Sequence, residues 1–242
     1  MGRSVELALP VGWPTPVKSF VVDVATSLHE PLDHWSGAGI LSEREDEFRQ
    51  LFRGLGLRAF HATRLLPHEI EGIRERGLLM LREELVRDRI REATSRNIIS
   101  DALAEELKLG HVFATNEFDN RHQQICFFLS TNVLRDQVGG VWNLMRYWGG
   151  EALSFSSRSP NFEQHLERVG VPAVVVADLD LSEPHKTHAV WPGLLRAFVG
   201  RYVGEREAGG DVFYRRDVEG SRIVDIWTPG HPRYDSFKEL PR

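Results

Sequence analysis

Two apolar runs of this chain give way to polar groups able to do chemistry. The first, RAFHATR at 58–64, sets the imidazole of His61 two residues before the hydroxyl of Thr63. The second, QQICFFLST at 123–131, closes on Ser130 and Thr131; RYWGGEAL at 146–153 follows it with a phenol, Tyr147, and a carboxylate, Glu151. Such groups do hydrogen-bonding and proton-transfer chemistry, although a histidine satisfied locally at a strand end is the alternative reading of His61. Other chemistries lack their residues. His68-Glu69 would need a histidine at position 72 to make a zinc-protease helix, and Gly72 stands there. His185 and His188 sit in a polar stretch with no cysteine beside them, which makes a weak metal site. No phosphate-binding G-x-x-x-x-G-K, no G-x-G-x-x-G after a strand and no G-x-S-x-G nucleophile turn occurs. Cys126 is the sole cysteine, set in the apolar run ICFFLS, so thiol catalysis and an internal disulfide are both disfavoured.

The elements that must position these groups follow from spacing. Leu57, Ala59 and Phe60 suit a buried strand that gives out near His61 and Thr63. Pro67 suits the first turn of a helix, and Leu66, Ile70 and Ile73 share one face of it. Gly77 is placed to cap that helix in a left-handed conformation. Helical spacing continues through Leu81, Leu85 and Ile90, with Glu83 four residues before Arg87 in the favourable order, and Ser100 caps a second segment that ends at Gly110. The run 123–131 reads as a central strand, followed by a helix within 133–144 whose apolar face includes Val141, Leu144 and Met145. PAVVVADLDL at 172–181 reads as a buried strand, and DVFYRR at 211–216 with RIVDIW at 222–227 as a hairpin. Nearer the N-terminus, SFVVDVATSL at 19–28 reads as a strand, and the S-x-x-E spacing of Ser42 and Glu45 predicts a helix from about 43 to 53. Helix-separated strands early and a hairpin late predict an α+β fold. Residues 1–56 are expected to pack as strand, coil and helix on a domain spanning 57–242, with a helical insertion at about 80–110.

Composition sets broad limits. The 242 residues are 41% hydrophobic and 27% charged, ordinary values for a globular chain. A net charge of −5 argues against a surface that grips nucleic acid over a whole face, though a local basic groove is compatible with it. Arg196, Arg201, Arg206, Arg215, Arg216 and Arg222 supply either a solvated face or a phosphate-facing edge. MGRSVELALPVGW lacks a signal-peptide core and no apolar run approaches membrane-spanning length, so a cytoplasmic protein without a membrane partner is expected.

Taken in order, FHATR with its helix through Ile73 and Gly77-Leu78, then FFLST and Tyr147, resemble the ADP-ribosyltransferase superfamily in its diphtheria-toxin and poly-ADP-ribose-polymerase branch. That family's pattern is His-Gly-Thr or His-Gly-Ser on a strand, a helix with Ile and Gly, a strand with Tyr or Phe and Ser-Thr, then a tyrosine. The resemblance covers about 58–78 and 125–151 and implies a split β-sheet core with flanking helices. It also implies NAD as substrate and no metal. His61 would hydrogen-bond the adenine-side ribose, the backbone of Ala62 would grip the nicotinamide amide, Thr63 would brace that turn, and Tyr147 would stack on the nicotinamide ring. Ala62 stands where the family has glycine. The family's late glutamate, which stabilises positive charge developing on the ribose, has no match on the last strand. Glu151 beside Tyr147 is the preferred carboxylate, ahead of Asp225 and Glu219. A structural role for Glu151, capping a helix or pairing with Arg146 or Arg64, is the alternative.

The activity implied is cleavage of the nicotinamide–ribose bond and transfer of ADP-ribose to a macromolecular acceptor, protein or nucleic acid. A bacterial toxin or defence factor fits that activity, and a toxin calls for a neutralising partner protein. Two rivals share the scaffold. One is NAD-dependent removal of a 2′-phosphate from RNA, which would lean on Arg64, Arg121 and the C-terminal arginines. The other is a non-catalytic binding module.

Overall fold

The computed structural model describes residues 4–28, 35–115, 122–135, 140–154, 160–181, 191–204, 210–238 and 240–241. Its strands are β1 (Ser4–Val5), β2 (Gly56–Leu65), β3 (Gly77–Leu78), β4 (Ile125–Phe128), β5 (Val171–Asp180), β6 (Asp211–Tyr214), β7 (Val218–Glu219) and β8 (Ile223–Trp227). The larger sheet runs β6-β4-β2-β5-β8, with β1 alongside β2. β1 is parallel to β2, Ser4 facing Gly56, whereas β2 and β4 are antiparallel, Phe60 facing Phe128. β3 and β7 form a separate antiparallel pair. With helices flanking these strands the chain is a mixed α+β protein, as its sequence pattern predicts.

By its contacts the chain divides into two compact units, the first made of 1–60, 126–133 and 177–214, the second of 61–125, 134–176 and 215–242. Strands β2 and β5 pass from one set of residues to the other. The first unit contains helices α1 (Thr15–Ser27), α2 (Trp35–Glu43), α3 (Glu45–Leu51) and, later in the chain, a helix at Trp191–Val203, with aromatic rings from α1, α3 and that later helix packed together. The ring centre of Phe198 on that later helix lies 4.7–5.7 Å from those of Trp13, Phe48 and Phe52, tilted to the first and edge-on to the other two. Arg58 of β2 pairs with Asp178 of β5 at 2.6 Å, and Ser4 donates to the same carboxylate at 2.5 Å. These bonds tie β1, β2 and β5 together.

Two expectations for this unit fail. Residues 19–27 belong to helix α1, because Val17, Phe20, Val21 and Val24 fall at helical spacing and bury one face. The β-branched run imitated a strand. Ser42 lies inside α2 and caps nothing; α3 starts after Arg44, whose guanidinium bonds Asp23 and Glu47 instead.

The second unit holds α4 (Pro67–Arg76), α5 (Glu83–Ser95), α6 (Asp101–Gly110), α7 (Val112–Thr115), α8 (Gly140–Arg146), α9 (Glu151–Ser154), α10 (Pro160–Arg168) and, after the Trp191–Val203 helix, which is α11, a final α12 (Pro232–Asp235). Ser100 caps α6, accepting from the Leu103 amide, and Arg87 bonds Glu83, both as expected from spacing. Leu66, Val86, Ile90, Leu107, Trp148 and Leu166 form the heart of its apolar cluster. Helix α8 carries Val141, Leu144 and Met145 but spans Gly140–Arg146, later than the expected 133–144, where a tight helical turn covers Thr131–Arg135. The expected hairpin of 211–227 does not form. β6 lies beside β4 and β8 beside β5, while the intervening β7 is held by β3.

Candidate functional site

His61, Ala62 and Thr63 lie within β2, not at its end, since the strand runs on to Leu65. Ladder hydrogen bonding therefore fixes their spacing, and alternation sends His61 and Thr63 to one face and Ala62 and Arg64 to the other. Ala62 and Thr63 are buried and His61 is half-buried.

The segment after α8 reaches this strand. Tyr147 and Trp148 lead into Gly149 and Gly150, both at positive φ, and the Gly150 amide donates to the Tyr147 carbonyl at 3.2 Å. A Cβ built on Gly150 would sit 3.6 Å from Thr63 Oγ1. The hydroxyl of the first motif thus borders the glycine turn that joins Tyr147 to Glu151. The backbone of Glu151 opens α9; its side chain lies outside the described residues.

Tyr147 is 9% exposed. Its hydroxyl donates to Glu163 Oε2 at 3.3 Å, and the Arg146 guanidinium lies 5.0 Å from its ring centre. Burial first, then Glu163, push the phenol's pKa up, against the pull of Arg146. So little of its surface is free that stacking on a ligand would require the ring to be uncovered.

The neighbouring Trp148 is fully buried and anchored by a residue that motif reading missed. Glu69, on the first turn of α4, accepts from the Trp148 indole at 3.1 Å, from the Leu66 amide at 2.8 Å and from Arg89 at 2.6 Å. Arg89 also lies over the indole, 5.4 Å from its centre. Burial alone would raise the Glu69 pKa, but Arg89 and the two other donors outweigh it and hold the carboxyl below its ordinary value. The available signal was the half capping box, a glutamate three residues after the helix start.

Arg64, next to Thr63, is 7% exposed and donates through Nε to the Val169 carbonyl at 2.8 Å and through Nη1 to Met145 at 3.3 Å. Burial lowers its pKa from the ordinary arginine value. Arg146, a possible partner for Glu151 by sequence, bonds Glu167 instead. The other carboxylates weighed from sequence stand apart from Tyr147 in the bonds they make. Asp225 accepts from the Ile226 amide and the Trp227 indole and pairs with His231 at 3.3 Å, while Glu219 is exposed on β7 opposite Gly77. Positions 121, 185, 188 and 206 lie outside the described residues. Cys126 on β4 is half-buried, more open than its apolar setting suggests. Among the described residues no three His, Cys, Asp or Glu side chains gather as a metal centre would, and no helix is long and apolar enough to cross a membrane.

No protein-family model, curated protein or solved structure matches the chain.

Proposed function

We propose that this chain is an ADP-ribosyltransferase built on a split-sheet core of the diphtheria-toxin and poly-ADP-ribose-polymerase kind. The supporting observation is the approach of Thr63 in FHATR to Gly150 in the turn joining Tyr147 to Glu151, two motifs far apart in sequence. NAD is the substrate, and no metal takes part. His61 bonds the adenine-side ribose, the Ala62 backbone holds the nicotinamide amide, Thr63 braces the glycine turn, and Tyr147 stacks on the pyridine ring once its own ring is uncovered.

The bond between ribose C1′ and the nicotinamide nitrogen breaks, its electron pair leaving with nicotinamide. The oxocarbenium-like C1′ is stabilised by Glu151. A nucleophilic oxygen or nitrogen of a protein or nucleic-acid acceptor bonds C1′ and gives up its proton, completing transfer of ADP-ribose. Working in the cytoplasm as a toxin or defence factor, such an enzyme would need a neutralising partner protein.

The test is nicotinamide release from NAD by purified protein, followed chromatographically, with labelled ADP-ribose tracked into candidate acceptors. Glu151→Gln should cut release by a hundredfold or more with its fold intact. A well-folded protein that neither binds NAD nor releases nicotinamide with any acceptor overturns the reading.

A further inference from the structure

We propose that Arg64 is an anion-binding residue, its free guanidinium edge taking the oxygens of a phosphate-type group. The case starts from its unusual environment. Arg58, Arg82, Arg89 and Arg146 each meet a carboxylate: Asp178, Asp217, Glu69 and Glu167 respectively. Among the described residues Arg64 is the one buried arginine, yet no carboxylate lies within ion-pair distance of it there. Its two acceptors are main-chain carbonyls, dipoles that orient the fork but do not neutralise it. Glu167, whose charge reaches Arg64, is already engaged by Arg146. A buried cation without a counter-charge is costly, and such a cost is tolerated where a ligand supplies the missing anion.

One donor of the guanidinium stays uncommitted. With Nε and Nη1 directed at Val169 and Met145, Nη2 donates to no described residue, and it is not sealed from solvent. A planar fork held from behind, with one edge open, matches a tetrahedral oxyanion. Met145, whose carbonyl Arg64 holds, lies two positions before Tyr147, so an anion there would border the aromatic segment. Because alternation along β2 sets Arg64 on the face opposite His61, the site is not tied to the dinucleotide that His61 would hold, and the open edge does not depend on the NAD reading.

Calorimetric titration of the full chain with inorganic pyrophosphate, ADP and adenosine tests this. Wild type should bind pyrophosphate and ADP, and Arg64→Gln should weaken both about ten- to a hundredfold, with adenosine affinity unchanged and Arg64→Lys intermediate. ADP held more tightly than adenosine 2′-phosphate assigns the anion to a pyrophosphate, and the reverse order to a phosphomonoester such as 2′-phosphorylated RNA carries; both support the site. Absence of pyrophosphate and ADP binding in wild type overturns it, as does wild-type affinity in Arg64→Gln. Should Arg64→Gln fail to fold, wild type decides alone. Pyrophosphate must then protect Arg64 from phenylglyoxal, mapped by mass spectrometry, and unaltered labelling overturns the proposal. Pyrophosphate binding without nicotinamide release leaves the anion site standing and removes the NAD reading; nicotinamide release without pyrophosphate or ADP binding does the reverse.

Discussion

Glu69 gathers donors from three parts of the chain, and its loss would leave Arg89, the Trp148 indole and the Leu66 amide without an acceptor in a mostly buried setting. Glu69→Ala should therefore cost about 3 kcal/mol in denaturant unfolding. The same carboxylate makes stability depend on acid. Its folded pKa lies below the unfolded one, so the unfolded chain binds the proton more tightly. The contribution is complete above the ordinary carboxylate value, about 4.3, and fades as the pH drops toward the depressed folded value. Glu69→Gln should flatten that part of the unfolding profile, measured as the denaturation midpoint against pH. Tyr147 invites a different comparison. Its hydroxyl meets an exposed glutamate, Glu163, at 3.3 Å, while its ring is packed in the apolar cluster. Tyr147→Phe should keep nicotinamide release within a few-fold in steady-state assays, because the stacking surface survives; Tyr147→Ala should abolish it.

Gly77 carries the element-scale argument. It ends α4 at φ 98° and begins β3, and a Cβ there would lie 1.7 Å from the Val218 carbonyl. Gly77→Ala should destabilise by at least about 2 kcal/mol, read by thermal or denaturant unfolding, since both the conformation and the β7 contact exclude a side chain. The glycine was legible in the sequence as a helix stop, and so were α4, α5, the Ser100 cap of α6 and the apolar cores of β4 and β5. Their patterns are local. What misled was also local: the valines and phenylalanine of 19–28 suit either a strand or a buried helix face, and the aromatic rings of Phe48 and Phe198 that decide the matter lie far along the chain. The strands at 211–214 and 223–227 resembled a hairpin because sequence cannot show that each finds a different neighbour. At the site, His61 and Thr63 stood out by type, whereas Glu69 bonds Arg89 and Trp148 across 20 and 79 positions, beyond any motif.

At the scale of the molecule, each compact unit is assembled from three separate stretches of chain. A cut between 56 and 57, the boundary expected from the order of elements in the sequence, would strip Trp13, Phe48 and Phe52 from Phe198. Residues 57–242 expressed alone should therefore lack a cooperative unfolding transition and near-ultraviolet circular dichroism, although they retain every proposed site residue.

The solitary half-buried sulfhydryl on β4 gives this chain an intrinsic clock. Because no other thiol competes, the rate at which an alkylating dye consumes Cys126 reads out how accessible this strand's surroundings leave it, without any engineered label.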